Sequence, residues 1–400
     1  MKSRDVKIGL ALVLMAGALG VGSACMESAA DSADNGGTAM AATPGQGQVP
    51  IFEVDPLWPR PLPNHWVIGS TIGVDVDSRD HVWIIHRQAT LAANETNAAG
   101  DPPRGSCCIP APPVLEFDPD GNVVGSWGGP GQGYDWPESN HGITVDPMDN
   151  VWIGGNGASD SHILKFTRDG RFLQQMGQPN MRTGSNDREN FWRVAEIEFD
   201  AEASEAYVSD GYGNKRVAVL DIQTGAMKRF WGAYGNVPDD APIPPYNPSD
   251  PPAQQFRSPM HCAQPSNDDL IYLCDRAGDR FQVFQPDGTY LREAFVAPQT
   301  LGSGSVWDIA FSHDPEQTFM YVADGSNELI HVLDRESLEV LTTFGDGGRQ
   351  PGQFYGIHSI AVDSRGNVYT TETYEGKRLQ KFTFIGYGSA PRDQGTVWPR

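Results

Sequence analysis

The chain has 400 residues, 39% hydrophobic and 20% charged, which bounds it to a globular product of one large or two ordinary domains. Its net charge of -22 argues against nucleic acid or an anionic membrane surface as a partner, because both would repel it, and leaves small-molecule or peptide substrates and metal ions compatible. The 45 glycines and 31 prolines favour many turns over long helices.

In chain order, Lys2, Arg4 and Lys7 precede an apolar run from Ile8 to Val21 and the small residues Gly22, Ser23 and Ala24, which reads as an export signal over residues 1–25. The run is short for a membrane span. Cys25 after small residues resembles a bacterial lipoprotein cleavage site, with Gly22 where Leu or Val is usual, so lipidation at Cys25 and plain cleavage are both open. The expected location is periplasmic or at the cell surface, with a membrane tether if Cys25 is lipidated. Residues 26–48, rich in Ala, Gly, Ser, Asp and Thr, read as a flexible linker. Four cysteines then remain in an exported domain, where disulfides persist. Cys262 and Cys274 flank a turn near Asp268 and would face each other in a hairpin, and Cys107 and Cys108 could bridge as neighbours; the spacing alone does not choose among three connectivities.

Residues 49–390 carry a sixfold internal repeat. Its clearest copies are GVDVDSRDHVWIIHR from Gly73, GITVDPMDNVWIGGN from Gly142 and SIAVDSRGNVYTTE from Ser359, with weaker ones from Ala195, Cys262 and Asp308. Each copy is an alternating strand, a polar turn and a second strand. A second hairpin follows, as in VLEFDPDGNVVGSWG and FQVFQPDGTYLREAF, where Asp-Gly is a strong hairpin signal. Four strands in each of six units predict an all-β, six-bladed β-propeller. The last unit supplies three strands, so Pro50–Asp55 is expected to close the ring as its fourth. A right-handed parallel helix is the alternative fold, disfavoured by the hairpin turns. Long insertions at 88–112 and 233–255 are expected to cover a face.

Taking Asp77, Asp146, Asp200, Ser266, Ser312 and Asp363 as anchors, His141, His261 and His358 each lie five residues before the anchor, in alternate blades. The other three blades have Ile72, Ala195 and Trp307 there. In a closed ring this spacing relates the three imidazoles by a threefold axis and turns them to the channel, as a three-histidine zinc site requires. Aligning the second strands on Val82, Ala206 and Ile271 brings Arg87, Tyr212 and Arg276 to the same face. A tyrosine there can serve as general base and arginines can grip a carboxylate. Individually each residue has a plain structural role available: a buried hydrogen-bonding histidine, an inter-blade ion pair, a turn-capping tyrosine. His65, His81, His162, His313 and His331 read as structural, and His86 as either.

These residues carry a resemblance. The blade pattern resembles NHL repeats, and the constellation resembles the lyase domain of peptidylglycine α-amidating enzymes. YVSDGYGNKR, residues 207–216, is similar to the family segment with the catalytic tyrosine, which maps to Tyr212. The family's zinc histidines map to His141 in NHGITVD, His261 in SPMHCAQ and His358 in GIHSIAVD, and its arginines to Arg87 in IIHR and Arg276 in CDRAGDR. The likeness spans nearly all of residues 50–385. It implies cleavage of a peptidyl-α-hydroxyglycine to a peptide amide and glyoxylate, with zinc on the hydroxyl, tyrosine taking its proton and arginine on the carboxylate. The family's copper monooxygenase partner is not encoded in these residues, so hydroxylated substrate is expected from elsewhere. Two positions depart: the family has Met two residues before its last histidine and a calcium-binding Asp just after it, where this chain has Gly356 and Ser359. Calcium is therefore not expected there, and a wider pocket is. Two other functions stay open. One is a non-catalytic, surface-tethered propeller that binds a protein or glycan. The other is a lactonase-type hydrolase, disfavoured because such channels gather calcium with Glu, Asn and Asp.

Overall fold

Strand alternation and turn chemistry build the six units one by one. In blade one, Asp77 accepts hydrogen bonds from the backbone N–H groups of Arg79 and His81 and from the Trp83 indole. Asp146 does the same with Met148, Asn150 and Trp152, and Asp363 with Arg365, Asn367 and the Tyr369 hydroxyl. The repeated aspartate is thus a turn-maker that also ties down an aromatic of the second strand, each bond contributing about 1 kcal/mol. In the weaker copies Ser266 and Ser312 take its place, accepting from the N–H groups of Leu270 and Phe319.

The computed structural model describes residues 44–399 apart from 46 and 393. The expected export signal at 1–25, Cys25 and all but the end of the expected linker lie outside the described residues. Six four-stranded antiparallel sheets result. Their strands, innermost first, are Ser70–Val76, Val82–Arg87, Val114–Phe117 and Val123–Trp127 in blade one; Asn140–Val145, Asn150–Gly155, His162–Thr167 and Phe172–Gly177 in blade two; and Ile197–Asp200, Glu205–Asp210, Arg216–Asp221 and Met227–Trp231 in blade three. Blade four has Met260–Pro265, Ile271–Asp275, Arg280–Phe284 and Tyr290–Phe295, and blade five has Asp308–Phe311, Phe319–Asp324, Leu329–Asp334 and Val340–Phe344. In blade six, Ile357–Val362, Val368–Glu372 and Arg378–Ser389 are completed by Gln48–Val54 from the other end of the chain. That strand pairs antiparallel from Gln48 opposite Ser389 to Val54 opposite Phe382, which gives blade six its outermost strand and closes the ring as expected.

First strands line a closed channel, that of blade six lying against that of blade one. Second and third strands are buried nearly throughout, because each blade packs on both neighbours; Ile72, Trp83 and Val114 of blade one share a cluster with Ile143, Ile153 and Leu164 of blade two. Outer strands alternate, as in Val123–Trp127, where one face meets solvent. Disulfides join Cys262 to Cys274 across the first hairpin of blade four and Cys107 to Cys108 in the first long loop. A short parallel pair, Trp66–Val67 with Ile109–Pro110, ties that loop down.

On the histidine face an ion pair recurs between the end of a second strand and the start of a third: Asp210–Arg216 at 2.8 Å, Asp275–Arg280 at 2.8 Å and Glu372–Arg378 at 2.7 Å. The arginines then donate to the inter-blade connections, Arg216 to the carbonyls of Ser185 and Asn190 and Arg378 to those of Arg349 and Gln353. The loops of this face hang from these guanidinium groups.

Candidate metal centre

Each histidine sits at an irregularity in the pairing of its first and second strands: between His141 and Ile143, between Met260 and Ala263, and between Ile357 and Ser359. Such a bulge re-aims a side chain, here from the strand face into the channel. In blade two it requires Gly142 at φ +71°, where a Cβ would come within 2.6 Å of the Ala195 carbonyl oxygen. The three rings converge with centroids 4.8–5.4 Å apart and nitrogen atoms within 4.8 Å of one another.

The blades without histidine hold the rings in place. His141 Nδ1 lies 2.6 Å from the Ala195 carbonyl oxygen and His261 Nδ1 lies 2.5 Å from that of Trp307. His358 Nδ1 bonds the Ser359 hydroxyl at 3.0 Å, which donates in turn to the Ile72 carbonyl. Ala195, Trp307 and Ile72 are the residues at the histidine register in the next blade around, so the threefold pattern extends to the supports. With Nδ1 protonated toward these acceptors, each ring presents its Nε2 lone pair to the centre, the arrangement found around metal-binding histidines. Burial holds all three imidazoles well below the usual histidine range, reinforced by Arg87 at His141, by Arg276 at His261 and by the neighbouring histidines at His358. Three neutral, oriented imidazoles can hold one divalent metal ion and leave a position open.

Tyr212, Arg87 and Arg276 reach the same place. The Tyr212 hydroxyl is 3.2 Å from His141 Nε2 and 3.1 Å from His261 Nε2, and it accepts from Arg276 Nη1 at 3.1 Å. Arg276 is buried, stacks 4.3 Å above the Trp307 ring, and keeps an Nε with no partner. Arg87 donates to the Asn140 carbonyl and to Asn156 Oδ1. The structure adds Arg193, which has no repeat register because it lies in the connection between blades two and three. Its Nε donates to the Asn156 carbonyl at 2.7 Å and its guanidinium stands 5.9 Å from the Tyr212 ring centre.

Gly356 stands at φ +80°, and a Cβ there would lie 3.2 Å from the Thr373 carbonyl oxygen. It would also lie 3.3 Å from Cδ2 of Tyr374, so this tyrosine occupies part of the room a side chain would take. Tyr374 stands at the register of Tyr212 in the opposite blade, 58% exposed and edge-on to Trp307 at 6.4 Å. His86 is structural: it accepts from the Gly69 N–H and donates to the Pro112 carbonyl. His81 pairs with Glu116, His331 with Asp324 and His162 with the Asp135 carbonyl.

Two other groups of metal-ligating side chains occur among the described residues. In Asp77, His81 and Glu116 the cation is already present, since Arg168 bridges both carboxylates. In Glu196, Cys262 and Asp308 the thiol is consumed by its disulfide. Deeper in the channel, blades one, three and five contribute Asp75, Glu198, Glu196 and Asp308. Burial raises all four, Asp75 to about 6 and Asp308 to about 7, and mutual repulsion adds to the rise at Glu196 and Glu198.

No protein-family model matches the chain. It is 24% identical over 350 residues to peptidyl-α-hydroxyglycine α-amidating lyase 1 of Drosophila melanogaster, across 81% of this chain and 58% of that protein. The chain thus spans little more than half the length of the fly relative. It is 25% identical over 352 residues to NHL repeat-containing protein 3 of Mus musculus, across 83% and 84% of the two chains. Among solved structures, a streptogramin B lyase superposes with a TM-score of 0.50 at 12% identity, over 83% of this chain and 98% of that one, a likeness of fold alone. The sixfold ring makes the chain a six-bladed β-propeller, and over 83% of its length it is similar to a protein named for its NHL repeats.

Proposed function

We propose that the protein is an exported, zinc-dependent lyase acting on α-hydroxyglycine-type or related hydroxy-amide substrates. The observation that carries the reading is the Tyr212 hydroxyl, held by Arg276 within 3.2 Å of two inward-facing histidine nitrogens. The donor set, three neutral imidazoles with supported Nδ1 atoms, suits zinc. Bound zinc would act as a Lewis acid on the substrate hydroxyl and ease loss of its proton. Tyr212 then takes that proton, the C–N bond breaks as the carbonyl of the glyoxylate forms, and the amide nitrogen leaves with a proton returned to it. Arg276 and Arg87 bind the substrate carboxylate and hold the carbinol carbon over Tyr212. Asn140 and Asn156 fix Arg87, and Trp307 supports both Arg276 and His261. Export through residues 1–25, with lipidation at Cys25 as its anchored form, belongs to the same proposal.

The experiment is glyoxylate release from a peptide ending in α-hydroxyglycine, by wild type and Tyr212→Phe with zinc supplied. We expect turnover in wild type and a loss of about 10²–10⁴-fold in the variant, typical of a missing general base. No release by wild type contradicts the lyase reading and leaves a binding propeller.

A further inference from the structure

Arg87, Arg193 and Arg276 bring three guanidinium groups around one phenol ring and one cluster of imidazoles. All three act electrostatically on His141. Their hydrogen bonds end on neutral oxygens, namely the Asn140 and Asn156 carbonyls, Asn156 Oδ1 and the Tyr212 hydroxyl. Among the described residues, no carboxylate lies within 4.0 Å of any of them. Elsewhere in this chain buried guanidinium groups are matched, as Arg216 is by Asp210 and Arg280 by Asp275. Two carboxylates act on this set from further off, Asp160 on Arg87 and Glu138 on Arg193, and neither pairs directly with it, so the direct charge contacts are left for a ligand to make. One carboxylate is satisfied by one or two of these groups, and the third is surplus to a monoanionic substrate.

Arg193 is also the most deliberately placed. Its φ is +62°, a left-handed conformation that costs a non-glycine residue about 1–3 kcal/mol and persists only when the surroundings enforce it. They do: its N–H donates to the Asp160 carbonyl at 2.9 Å and its carbonyl accepts the Tyr212 N–H at 3.1 Å. Asn156 holds its Nε through the carbonyl and holds Arg87 through the side chain. Both Nη groups of Arg193 are left without a hydrogen bond among the described residues, beside Tyr212.

We propose that the substrate carries a second oxyanion, a carboxylate or a phosphate-like group, in addition to its α-carboxylate, and that Arg193 binds it. This rests on the lyase reading for the α-carboxylate but concerns the substrate's other end. The test is calorimetric binding of succinate, 3-phosphonopropionate and butyrate to the full-length, zinc-supplied protein. Wild type binds at least one dianion about tenfold or more tighter than butyrate, as one charge-assisted contact provides; which one is preferred identifies the second group. Arg193→Asn, whose side chain tolerates the left-handed backbone, loses that preference and binds butyrate unchanged, while Arg193→Lys keeps part of it. Equal binding of all three ligands by wild type, binding of none, or a preference that survives in Arg193→Asn overturns the proposal, as does an equal loss for butyrate. Dianion preference without glyoxylate release from any hydroxyglycine substrate refutes the lyase reading and leaves the two-anion pocket standing.

Discussion

Asp210→Ala tests how the histidine face is held together. Asp210 is fully buried; one oxygen accepts the Trp192 N–H at 2.8 Å and the other accepts from Asn214 at 2.8 Å and from Arg216 Nε at 2.8 Å. Arg216 is equally buried, and its remaining donors go to carbonyls of the connection between blades two and three. Burial raises the Asp210 carboxyl even though Arg216 lies beside it, so desolvation outweighs the attraction and the pair itself contributes little net stability. Removing one partner is a different matter, because it strands a guanidinium in the interior, at a cost of about 3–5 kcal/mol. Against a total of roughly 5–15 kcal/mol for a folded domain, that is a large fraction. Urea unfolding of Asp210→Ala should show this loss, while Asp210→Leu combined with Arg216→Met removes the stranded charge and recovers part of it, the remainder being lost with the donors to the Ser185, Asp187 and Asn190 carbonyls. The connection that carries Arg193 and Trp192 should loosen in the single variant, seen as faster amide exchange there. A loss under about 1 kcal/mol, or a double variant no better than the single one, refutes the reasoning.

Three further outcomes follow from the same geometry. Glu198→Gln removes a half-buried charge whose ionised form is penalised by loss of solvation and by Asp75 and Asp308. Its folded pKa lies above the unfolded one, so the penalty is absent below the ordinary carboxylate range and grows as pH rises; thermal unfolding without divalent ions should show Tm up by about 2 °C at pH 8 and nearly unchanged at pH 5. Ser359→Ala deprives His358 Nδ1 of its partner and should weaken metal binding about 10–100-fold in a chelator competition without altering the fold. Replacing Cys262 and Cys274 together with Ala opens the staple beside His261 and should cost about 3 kcal/mol in denaturant, since the two cysteines lie 12 positions apart in the chain.

The propeller was legible because every blade repeats its alternation and a polar turn anchor, aspartate in four blades and serine at Ser266 and Ser312, and because a fixed register in a closed ring becomes a fixed position on the channel. The same logic placed His141, His261, His358, Arg87, Arg276 and Tyr212 on one face, all within strands or one or two residues after them. It did not find Arg193 or Asn156, because Arg193 lies between blades and depends on a left-handed backbone that no side-chain pattern signals. The channel carboxylates were readable in principle: Asp75 and Glu198 each stand two residues before their anchors. They went unread because acidic residues in strands are usually taken for a solvated face. The carbonyl supports from Ile72, Ala195 and Trp307 are backbone contacts, to which residue identity is blind.

Metal content is the most direct test of the centre on which the account turns. Elemental analysis of the purified protein, alongside a triple variant with His141→Ala, His261→Ala and His358→Ala shown by circular dichroism to be folded, is predicted to find about one zinc per wild-type chain and none in the variant. No metal in wild type after zinc is supplied, or equal metal in both proteins, would contradict it.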